Sequence, residues 1–474
     1  MAASILFSCK QIENNLNVPD GTDTAGDSVF SVGVAMANVT PTSIPAGWEV
    51  HDSLYVRTLV FDDGQERIAF IVVDNQGIPS WLCDDAKAAV YQEAGIPASR
   101  VMISATHTHS GVWAGNPMRP STTNAYQQML VAKIAESVHD AVNHMKPARI
   151  GWGSFEAPEH VHNRRWYLDT LTYSPYGILD SVRTNPKFRT EEDLPPAALD
   201  KPAGPTDPEV SVIGIQSLTG EPIAVFSNYS LHYVGAFPQD YSADYYGLLA
   251  KKLRTKLAIH VDSSFVGVMS NGTSGDVTNQ NFELPNPSLN LYQRSAFVSE
   301  DLATRIVDVY NTLDFYDWVP LKAQTRELTL RIRQPTQEIL DHVELIKTFH
   351  LTAPPGTYLF EFREEQYVTR LEDYMNTFPA SISVPLQAFS FGDLAIGAIP
   401  FEVFAETGLE LKEAIPSDDS FIIGLANGHW GYLPTPAQHL KGGYEAWITA
   451  NRVAENSSEL IVDEMLDLFD TLNQ

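Results

Sequence analysis

Two histidines two positions apart are the first residues of this chain that could do chemistry. His107 and His109 lie in Ser104-Ala-Thr-His-Thr-His-Ser110, which includes the end of the apolar run Val101-Met-Ile-Ser. That run is typical of a buried strand, so both imidazoles would follow the end of the same strand. Neutral imidazoles are good zinc ligands, but a His-x-His pair is also common without a metal. A metal site therefore requires further ligands from elsewhere in the chain.

Three later segments supply side chains of the types that bind zinc. His232 follows a predicted strand, and Glu402 lies between apolar residues at the end of a predicted hairpin. A carboxylate in apolar surroundings must be paired, cap a helix or bind a metal. The segment Asn427-Gly-His-Trp-Gly-Tyr brings His429 and Tyr432 together. By residue type alone, His429 competes as a zinc ligand.

Two further polar segments lie near these candidates in the chain. Asp244 opens a predicted helix, where it is expected either to cap the helix or to orient a ligating imidazole. The loop Met269-Ser-Asn-Gly-Thr-Ser-Gly-Asp-Val-Thr-Asn279 follows another predicted strand. Its backbone N–H groups could face a ligand, although a composition rich in Gly, Ser and Asn also forms turns without any ligand.

Composition and charge exclude several classes of function. The chain has 474 residues, of which 44% are hydrophobic and 19% are charged, as in folded globular proteins. Its 59 acidic and 31 basic residues give a formal net charge of -28. A field of this sign repels polyphosphate backbones, so nucleic acid is not an expected partner. The charge itself indicates no particular substrate.

The cysteines and apolar runs limit the possible frameworks. With only Cys9 and Cys83, neither a disulfide framework nor a cysteine-based zinc cluster is expected, and two free thiols are favoured over one bridge. No apolar run reaches the roughly 18 residues of a membrane span, so no transmembrane segment is predicted. The apolar start that ends at Cys9 is compatible with a trimmed lipoprotein signal. Localisation stays open between a secreted, periplasmic or lipid-anchored protein and a cytoplasmic one, and no oligomeric state is indicated.

Alternating strand-like and helix-like segments predict a single α/β domain over residues 1–474, with a mixed central sheet flanked by helices. Residues 54–75 predict a hairpin whose second arm is apolar on both faces, as in a central strand. Residues 173–208 are rich in Pro, Gly and Asp without a regular period, which predicts a long surface loop near the site. The other predicted strands are 29–38, 101–104, 148–155, 210–216, 222–228, 264–269, 318–333, 387–399 (a hairpin) and 421–425, and the predicted helices are 84–95, 122–145, 245–257, 291–313, 337–349, 360–375, 402–414 and 457–472.

Five motifs in chain order resemble the catalytic domain of the neutral/alkaline ceramidases. They are Thr106-His-Thr-His-Ser110, Ser270-Asn-x-x-x-Gly-Asp276, Ile399-Pro-x-Glu402, Gly431-Tyr-x-x-Thr-Pro436 and Tyr444-Glu445. The resemblance extends from about Val32 to Glu445. Members of that family are zinc amidohydrolases that split ceramide into sphingosine and a fatty acid. The resemblance therefore implies their α/β catalytic fold, a Zn²⁺ cofactor and hydrolysis of a lipid-like N-acyl amide by water that the metal activates.

The resemblance also assigns roles by position. It matches four residues to the zinc ligands of the family, namely His107, His232, Glu402 and Tyr432. This match favours Tyr432 over His429. His109 matches the second histidine of its motif, beside the reacting group, where it is expected to act as a general acid or base or to hold the leaving group.

The remaining matches lie on the substrate side of the site. Arg164 matches a substrate-side arginine and Tyr444 a tyrosine that polarises the scissile carbonyl, so both would stabilise developing negative charge on its oxygen. Asn163, Asn271 and Asp276 lie in the matching segments and are expected to contact the substrate.

Two positions depart from the family pattern. Thr278 stands where the family has a serine that has been considered as a nucleophile or substrate contact, and the proline that follows that serine is absent here. No base flanks Thr278 in the sequence, so its expected role is a hydrogen bond to substrate, and metal-activated water is the expected nucleophile. His232 lies in Ser230-Leu-His-Tyr233, where the family usually has His-Pro, and it is matched because no other histidine lies nearby.

The substrate is the least determined part of this interpretation. Ceramidases of this type carry a C-terminal β-sandwich domain, which is not expected here because the chain ends shortly after Glu445. Without that domain or an evident apolar surface stretch, docking on a membrane is not expected. Two alternatives stay open: hydrolysis of a soluble amide, ester or sugar derivative at the same site, and a non-catalytic protein that binds a ligand. The identity of the metal as zinc also rests on the resemblance, because His, Glu and Tyr side chains bind iron or manganese as well.

Overall fold

The computed structural model describes residues 29–186, 199–235, 237, 239–260, 264–283, 289–361 and 363–472. Its strands are β1 (Ser31–Asn38), β2 (Glu49–Val50), β3 (Tyr55–Asp62), β4 (Arg67–Val73), β5 (Val101–Ala105), β6 (Lys146–Glu156), β7 (His162–Asn163), β8 (Arg165–Tyr173), β9 (Leu179–Thr184), β10 (Leu199–Pro202), β11 (Glu209–Ser217), β12 (Pro222–Tyr229), β13 (Asp240–Tyr241), β14 (Val266–Asn271), β15 (Val277–Thr278), β16 (Leu321–Arg331), β17 (Ser381–Phe391), β18 (Leu394–Ala398), β19 (Glu402–Val403), β20 (Asp419–Ile423) and β21 (Tyr432–Leu433). Its α-helices are α1 (Ser80–Ala94), α2 (Ala125–Asn143), α3 (Asp244–Lys256), α4 (Leu291–Tyr310), α5 (Gln337–His350), α6 (Glu364–Thr377), α7 (Ala405–Ala414), α8 (Pro436–His439) and α9 (Ser457–Leu472).

Two mixed sheets packed face to face form the core. Eight strands make the larger sheet in the order β14-β12-β11-β6-β1-β3-β4-β5, and four make the smaller one in the order β16-β17-β18-β20. Most neighbours are antiparallel, but β4–β5, β12–β14 and β18–β20 are parallel. The predicted mixed central sheet is confirmed, with β4 almost wholly buried between β3 and β5. The separate second sheet is an addition that the sequence did not predict.

Alternation of side chains along the strands explains the layers. On β4, Phe70 belongs to the core between the two sheets, whereas the neighbouring Ile71 packs among residues of α1 and α2. Aromatic rings fill the space between the sheets: the ring centroid of Phe70 lies 5.0 Å from that of Phe389, and Phe61 lies 4.9 Å from Phe391. Helices α1 to α4 cover the outer face of the larger sheet and α9 covers the smaller one. The result is a helix, sheet, sheet, helix arrangement.

Two simpler features follow from the described part of the chain. No helix there is both long and apolar enough to cross a membrane. Cys83 is buried and has a free thiol. Cys9 lies outside the described residues, so the prediction of two free thiols is confirmed for Cys83 alone.

Residues 173–208 were predicted to form a loop without regular structure. That prediction is wrong where the segment forms strands β9 and β10. β9 and β10 pair with opposite sides of β8 to make a three-stranded sheet. The free edge of β9 is held by a distant segment, because the backbone N–H of Ser181 donates to the carbonyl of Lys441 at 2.9 Å. A strand whose edge pairs with a distant segment need not show the alternation of apolar and polar residues by which strands are predicted. The stretch 187–198 lies outside the described residues.

Asp244 has neither of its two predicted roles. Its φ of 53° starts α3 in a left-handed conformation, and no side-chain cap forms at this helix. Instead, its carboxylate accepts from the backbone N–H of Val234 at 2.8 Å and of Gly235 at 3.0 Å, and from the hydroxyl of Ser295 at 2.5 Å. Asp244 therefore anchors the loop that follows His232.

Burial raises the pKa of Asp244 to about 6. The folded protein thus holds this proton more tightly than the unfolded chain, so the protonated carboxyl stabilises the fold at pH 4 and below and loses that contribution as the pH rises through 6. Relative to Asp244→Asn, the free energy of unfolding of the wild-type protein should fall by up to about 3 kcal/mol between pH 4 and pH 7, at about 1.4 kcal/mol per pKa unit. Urea unfolding at several pH values measures the difference. A difference that does not change with pH would contradict the prediction.

Candidate metal centre

The predicted ligands lie at the carboxyl ends of strands from both sheets. His107 follows β5, His232 follows β12, and Glu402 lies just beyond β18. The ends are joined by backbone contacts, such as the N–H of Gly275 donating to the carbonyl of Val403 at 2.7 Å. Loops beyond the carboxyl ends of parallel strands commonly form the binding crevice of an α/β fold. The fold therefore gathers at one edge side chains that are far apart in sequence.

His107 is fixed through both its backbone and its ring. Its φ is 64°, a left-handed conformation that residues other than glycine seldom adopt. Its backbone N–H donates to the carbonyl of Asn75 at 3.0 Å, and its Nδ1 lies 2.5 Å from the carbonyl oxygen of Gln76. Because a carbonyl can only accept, Nδ1 carries the proton and Nε2 presents a lone pair.

His232 is held in the same way from another loop. Its Nδ1 donates to the carbonyl of Ser274 at 2.8 Å, so its Nε2 also presents a lone pair. The hydroxyl of Tyr246 donates to the backbone carbonyl of His232 at 3.1 Å. Donation from the second ring nitrogen to a carbonyl is the usual way in which a metal-binding histidine is oriented.

Glu402 brings an oxygen to the two imidazoles. Its Oε2 lies 3.3 Å from Nε2 of His107 and 3.8 Å from Nε2 of His232. Among the described residues, neither that oxygen nor Nε2 of His232 has a hydrogen-bond partner, although both are buried. Atoms bound tetrahedrally about 2.0–2.1 Å from a zinc ion stand about 3.3 Å from one another. The three atoms therefore fit a shared metal ion, which would satisfy lone pairs that are otherwise buried without partners.

The protonation states of these groups agree with metal binding. Burial would raise the pKa of Glu402, but the imidazoles of His107 and His429 hold it well below its ordinary value. Burial, followed by the charge of Arg164, holds the pKa of His232 well below its ordinary value. A carboxylate and a neutral imidazole are the forms that bind a metal.

Tyr432 lies beside these three ligands. The parallel pairing of β19 and β21 sets it opposite Glu402, and it is almost fully buried. Its ring centroid lies 5.2 Å from the guanidinium carbon of Arg164 and 5.7 Å from the ring centroid of Tyr444. The structure thus places Tyr432 next to the cluster, and its binding to a metal stays a prediction.

His109 is brought into the cluster as well. Its Nε2 lies 3.3 Å from Nε2 of His107, and ring nitrogens of His107, His109 and His232 all lie within 4.8 Å of one another. Its ring stacks on Tyr233 with centroids 3.8 Å apart. Tyr233 was not singled out in the sequence, and its only signal there is its place next to His232. The acid–base role of His109 stays a prediction, and its position allows contact with either a metal or a substrate.

Arg164, Arg165 and Glu445 form a buried ion network behind Tyr432. Glu445 accepts from Nε of Arg164 at 2.7 Å and from Nη1 of Arg165 at 2.8 Å. Nη2 of Arg164 also donates to the carbonyl of Gly275 at 2.7 Å. In the sequence, the only signal for Glu445 is its place directly after Tyr444. Arg164 is therefore held firmly beside the cluster, and its contact with substrate stays a prediction.

Tyr444 lies at the outer end of this network. It is 40% exposed, and its ring centroid lies 5.5 Å from that of Trp447. Because its ring also faces Tyr432, it connects the buried cluster with solvent. This position is compatible with the predicted contact to a substrate carbonyl, which remains a prediction.

Asn163 and Asp276 are bonded into the framework. Nδ2 of Asn163 donates to Oδ2 of Asp276 at 2.9 Å, and the other oxygen of Asp276 accepts from the backbone N–H of Ala405 at 2.9 Å. The side-chain oxygen of Asn163 accepts from the N–H of Arg165. These bonds hold β7, the loop after β14 and the start of α7 together. The predicted contacts of the two residues with substrate stay predictions.

Asn271 and Thr278 differ from that pair. Asn271 ends β14, and both polar atoms of its buried side chain lack hydrogen-bond partners within the described chain. The hydroxyl of Thr278 accepts from the backbone N–H of Gln280 at 3.3 Å. The unpaired amide of Asn271 is compatible with a polar ligand, while Thr278 has a local partner. Their roles toward substrate stay predictions.

Gly275 allows the loop after β14 to approach Glu402. A Cβ at this position would lie 2.4 Å from the backbone oxygen of Glu402, and a backbone atom cannot rotate away. We expect Gly275→Ala to lower the free energy of unfolding by about 1–3 kcal/mol, a typical cost of overpacking, and to weaken metal binding because Glu402 must shift.

Gly153→Ala is the matched control, because there the nearest atom is the end of the Leu313 side chain at 3.1 Å. Urea unfolding and zinc titration compare the two variants. Equal stability and equal zinc affinity in both variants would show that the close approach at Gly275 has no such effect.

Comparison with known proteins agrees with the fold predicted from the motifs. No family model matches the chain. A solved ceramidase complexed with C2 superposes with a TM-score of 0.67 and 17% sequence identity, over 94% of this chain and 76% of that chain. Neutral ceramidase from Pseudomonas aeruginosa superposes with a TM-score of 0.64 and 16% identity, over 94% of this chain and 75% of that chain. The chain therefore has the fold of these ceramidase structures over nearly its whole length.

Proposed function

We propose that this chain is a zinc-dependent hydrolase of amide bonds that acts on ceramide-like N-acyl substrates. The observation that carries the proposal is the meeting of Nε2 of His107, Nε2 of His232 and Oε2 of Glu402 at one buried point, with the oxygen 3.3 Å and 3.8 Å from the two nitrogens. The ceramidase fold supports the amide bond and the lipid-like substrate class.

The metal would be held by the two histidines and Glu402, with Tyr432 as the fourth ligand. A zinc ion there would supply a Lewis acid and lower the pKa of a bound water toward about 7. The chain prepares the site by fixing the tautomers of both histidines through the carbonyls of Gln76 and Ser274. Because the rings are held before the metal arrives, binding requires little rearrangement.

The remaining residues would act on the proton and on the carbonyl group. His109 would hold or move a proton at Nε2, and its stacking on Tyr233 keeps the ring beside the cluster. Arg164 and Tyr444 would donate to the carbonyl oxygen of the substrate as negative charge develops, an interaction worth several kcal/mol in a preorganised site. The bond from Arg164 to Glu445 keeps the guanidinium from moving during this step.

The surroundings of the cluster support an apolar substrate. Trp113 is 38% exposed and packs on His429 with ring centroids 4.7 Å apart, and Tyr444 is 40% exposed on another loop. Partly exposed aromatic rings beside a polar cluster are typical of sites that bind an apolar ligand and orient it by a few polar groups. These rings could contact the hydrocarbon chain of an N-acyl substrate.

The test is hydrolysis by zinc-loaded protein of a fluorescent short-chain ceramide and of a panel of soluble aryl amides and aryl esters. We expect turnover of the ceramide that is abolished by a chelator and restored by Zn²⁺. Turnover of the soluble panel alone would replace the proposed substrate with a soluble amide or ester. Zinc binding without any turnover would instead favour a ligand-binding protein.

A further inference from the structure

The two oxygens of Glu402 have different surroundings. Oε2 faces the ring nitrogens of His107 and His232, whereas Oε1 lies 3.0 Å from Nε2 of His429. All four side chains are buried. A carboxylate that gives one oxygen to a metal can still rotate about its last bond, so the partner of its other oxygen decides where the ligating oxygen points.

The bond from His429 commits its Nε2 to Glu402. An ionised carboxylate only accepts, so Nε2 of His429 carries the proton and donates it. Its other ring nitrogen, Nδ1, is buried and has no hydrogen-bond partner within the described residues. The ring centroid of His429 lies 6.0 Å from that of His107, whereas the ring centroid of His232 lies 4.6 Å from it. These contacts describe a donor to a ligand and not a ligand.

The ring of His429 is itself held in place. The ring of Trp113 stands perpendicular to it, with centroids 4.7 Å apart and an interplanar angle of 89°. Gly77 lies against both rings, since a Cβ there would be 3.1 Å from the indole of Trp113 and 3.2 Å from Cγ of His429. The imidazole is therefore packed between a backbone and an indole, which restricts the direction of its N–H bond.

We infer that His429 is a positioning residue that holds Oε1 of Glu402, so that Oε2 points at the metal bound by His107 and His232. The inference rests on the proposed function, because it assumes that the cluster binds a metal. It gives a role to a histidine that the sequence marked only as a competing ligand. Partners of this kind typically contribute a factor of 10 to 100 in metal affinity.

Two substitutions separate the hydrogen bond from the presence of a polar group. In His429→Gln the side-chain amide nitrogen reaches about as far as Nε2, whereas in His429→Asn it is one carbon too short. We expect His429→Asn to weaken zinc affinity by about 10- to 100-fold, and His429→Gln to stay close to wild type. His429→Phe, which keeps a ring but has no donor, should lose as much as His429→Asn.

Zinc affinity is measured by competition with a fluorescent chelator, without any substrate. The absorption spectrum of the Co²⁺-loaded protein reports the geometry at the metal, and circular dichroism reports folding. The Co²⁺ spectrum should change in His429→Asn and His429→Phe and be largely restored in His429→Gln. A general loss of packing at this position would affect glutamine and asparagine alike, so rescue by glutamine alone identifies the hydrogen bond. Because asparagine keeps a polar amide that cannot reach Glu402 and phenylalanine is apolar without any donor, the pair removes this hydrogen bond in either kind of surroundings.

The results that overturn the inference differ from those that overturn the proposed function. Wild-type affinity in His429→Asn and His429→Phe would show that the bond to Glu402 does not position the ligand. Loss of stoichiometric zinc in His429→Gln, to the level of His107→Ala, would show that His429 is a ligand itself. Zinc bound by the wild-type protein without amide turnover would defeat only the proposed function, and the affinities would still decide the role of His429. A wild-type protein that binds no zinc would overturn both.

Discussion

The His107→Ala and His232→Ala proteins are expected to purify in folded form with far less than one zinc ion per chain. Each substitution removes one of three atoms that meet at the centre, where Oε2 of Glu402 lies 3.3 Å and 3.8 Å from the two ring nitrogens. The three proposed ligands that remain, namely the other histidine, Glu402 and Tyr432, do not complete the four-ligand set of a stable zinc site. Elemental analysis of the purified proteins measures the metal content, and circular dichroism checks the fold.

Activity should fall together with metal content. Losing a Lewis acid removes several kcal/mol of transition-state stabilisation, and each 1.4 kcal/mol corresponds to about a factor of ten in rate. A decrease in kcat/KM on the order of 10³-fold or more is therefore expected. His144→Ala is the control, because His144 is exposed at the end of α2 and its ring bonds to the backbone carbonyl of Asp140. Full zinc occupancy in either ligand variant would refute the assignment of that histidine.

Glu445→Gln is expected to lower the free energy of unfolding by about 3–5 kcal/mol, the usual cost of breaking a buried ion pair from one side. The substitution leaves the guanidinium groups of Arg164 and Arg165 buried without their shared carboxylate. A glutamine has similar size but carries no charge and only one acceptor oxygen. Burial would raise the pKa of Glu445, but the two arginines hold it below its ordinary value, so the carboxylate is ionised at neutral pH. Urea unfolding at pH 7 measures the loss.

The control is a glutamate–lysine ion pair on the surface. Glu136 bonds Lys133 at 2.7 Å on the exposed face of α2, and Glu136→Gln should cost less than about 1 kcal/mol. Glu445→Gln should also lower kcat, because Arg164 loses the bond that holds it beside Tyr432. Equal stability losses in the two variants would mean that burial of the network contributes nothing. An unchanged kcat would remove the support for Arg164 as a substrate-side group.

The sequence by itself determined the type of fold and showed that two of the candidate metal ligands directly follow strands. The apolar runs that end before His107 and before His232 are strands β5 and β12, as predicted. This success has a local cause, because a buried strand needs only a short run of apolar residues that is visible in the sequence. The mixed α/β fold predicted from the alternation of such runs with helical segments is confirmed in the same way.

Only the tertiary structure decided which polar groups meet. The partners Arg164 and Glu445 are separated by 281 positions, and Ser181 and Lys441 by 260. No period or motif in either segment specifies its partner, which explains why β9 was predicted as part of a loop and why Glu445 received no role. Strand pairing over such distances depends on the whole packed core, whose energy is shared among many residues.

His429 shows the same limit at the centre of the site. Its residue type and its place after a strand made it as good a zinc ligand as His107, and the resemblance to the ceramidases only favoured Tyr432 in its place. The structure separates the two histidines, because Nε2 of His107 faces one oxygen of Glu402 while Nε2 of His429 bonds to the other. The sequence thus determined which side chains could bind a metal. The packing of the two sheets decided which side-chain atoms face the same point. The direction of each of these side chains depends on contacts with residues far away in the chain, which no local pattern in the sequence specifies.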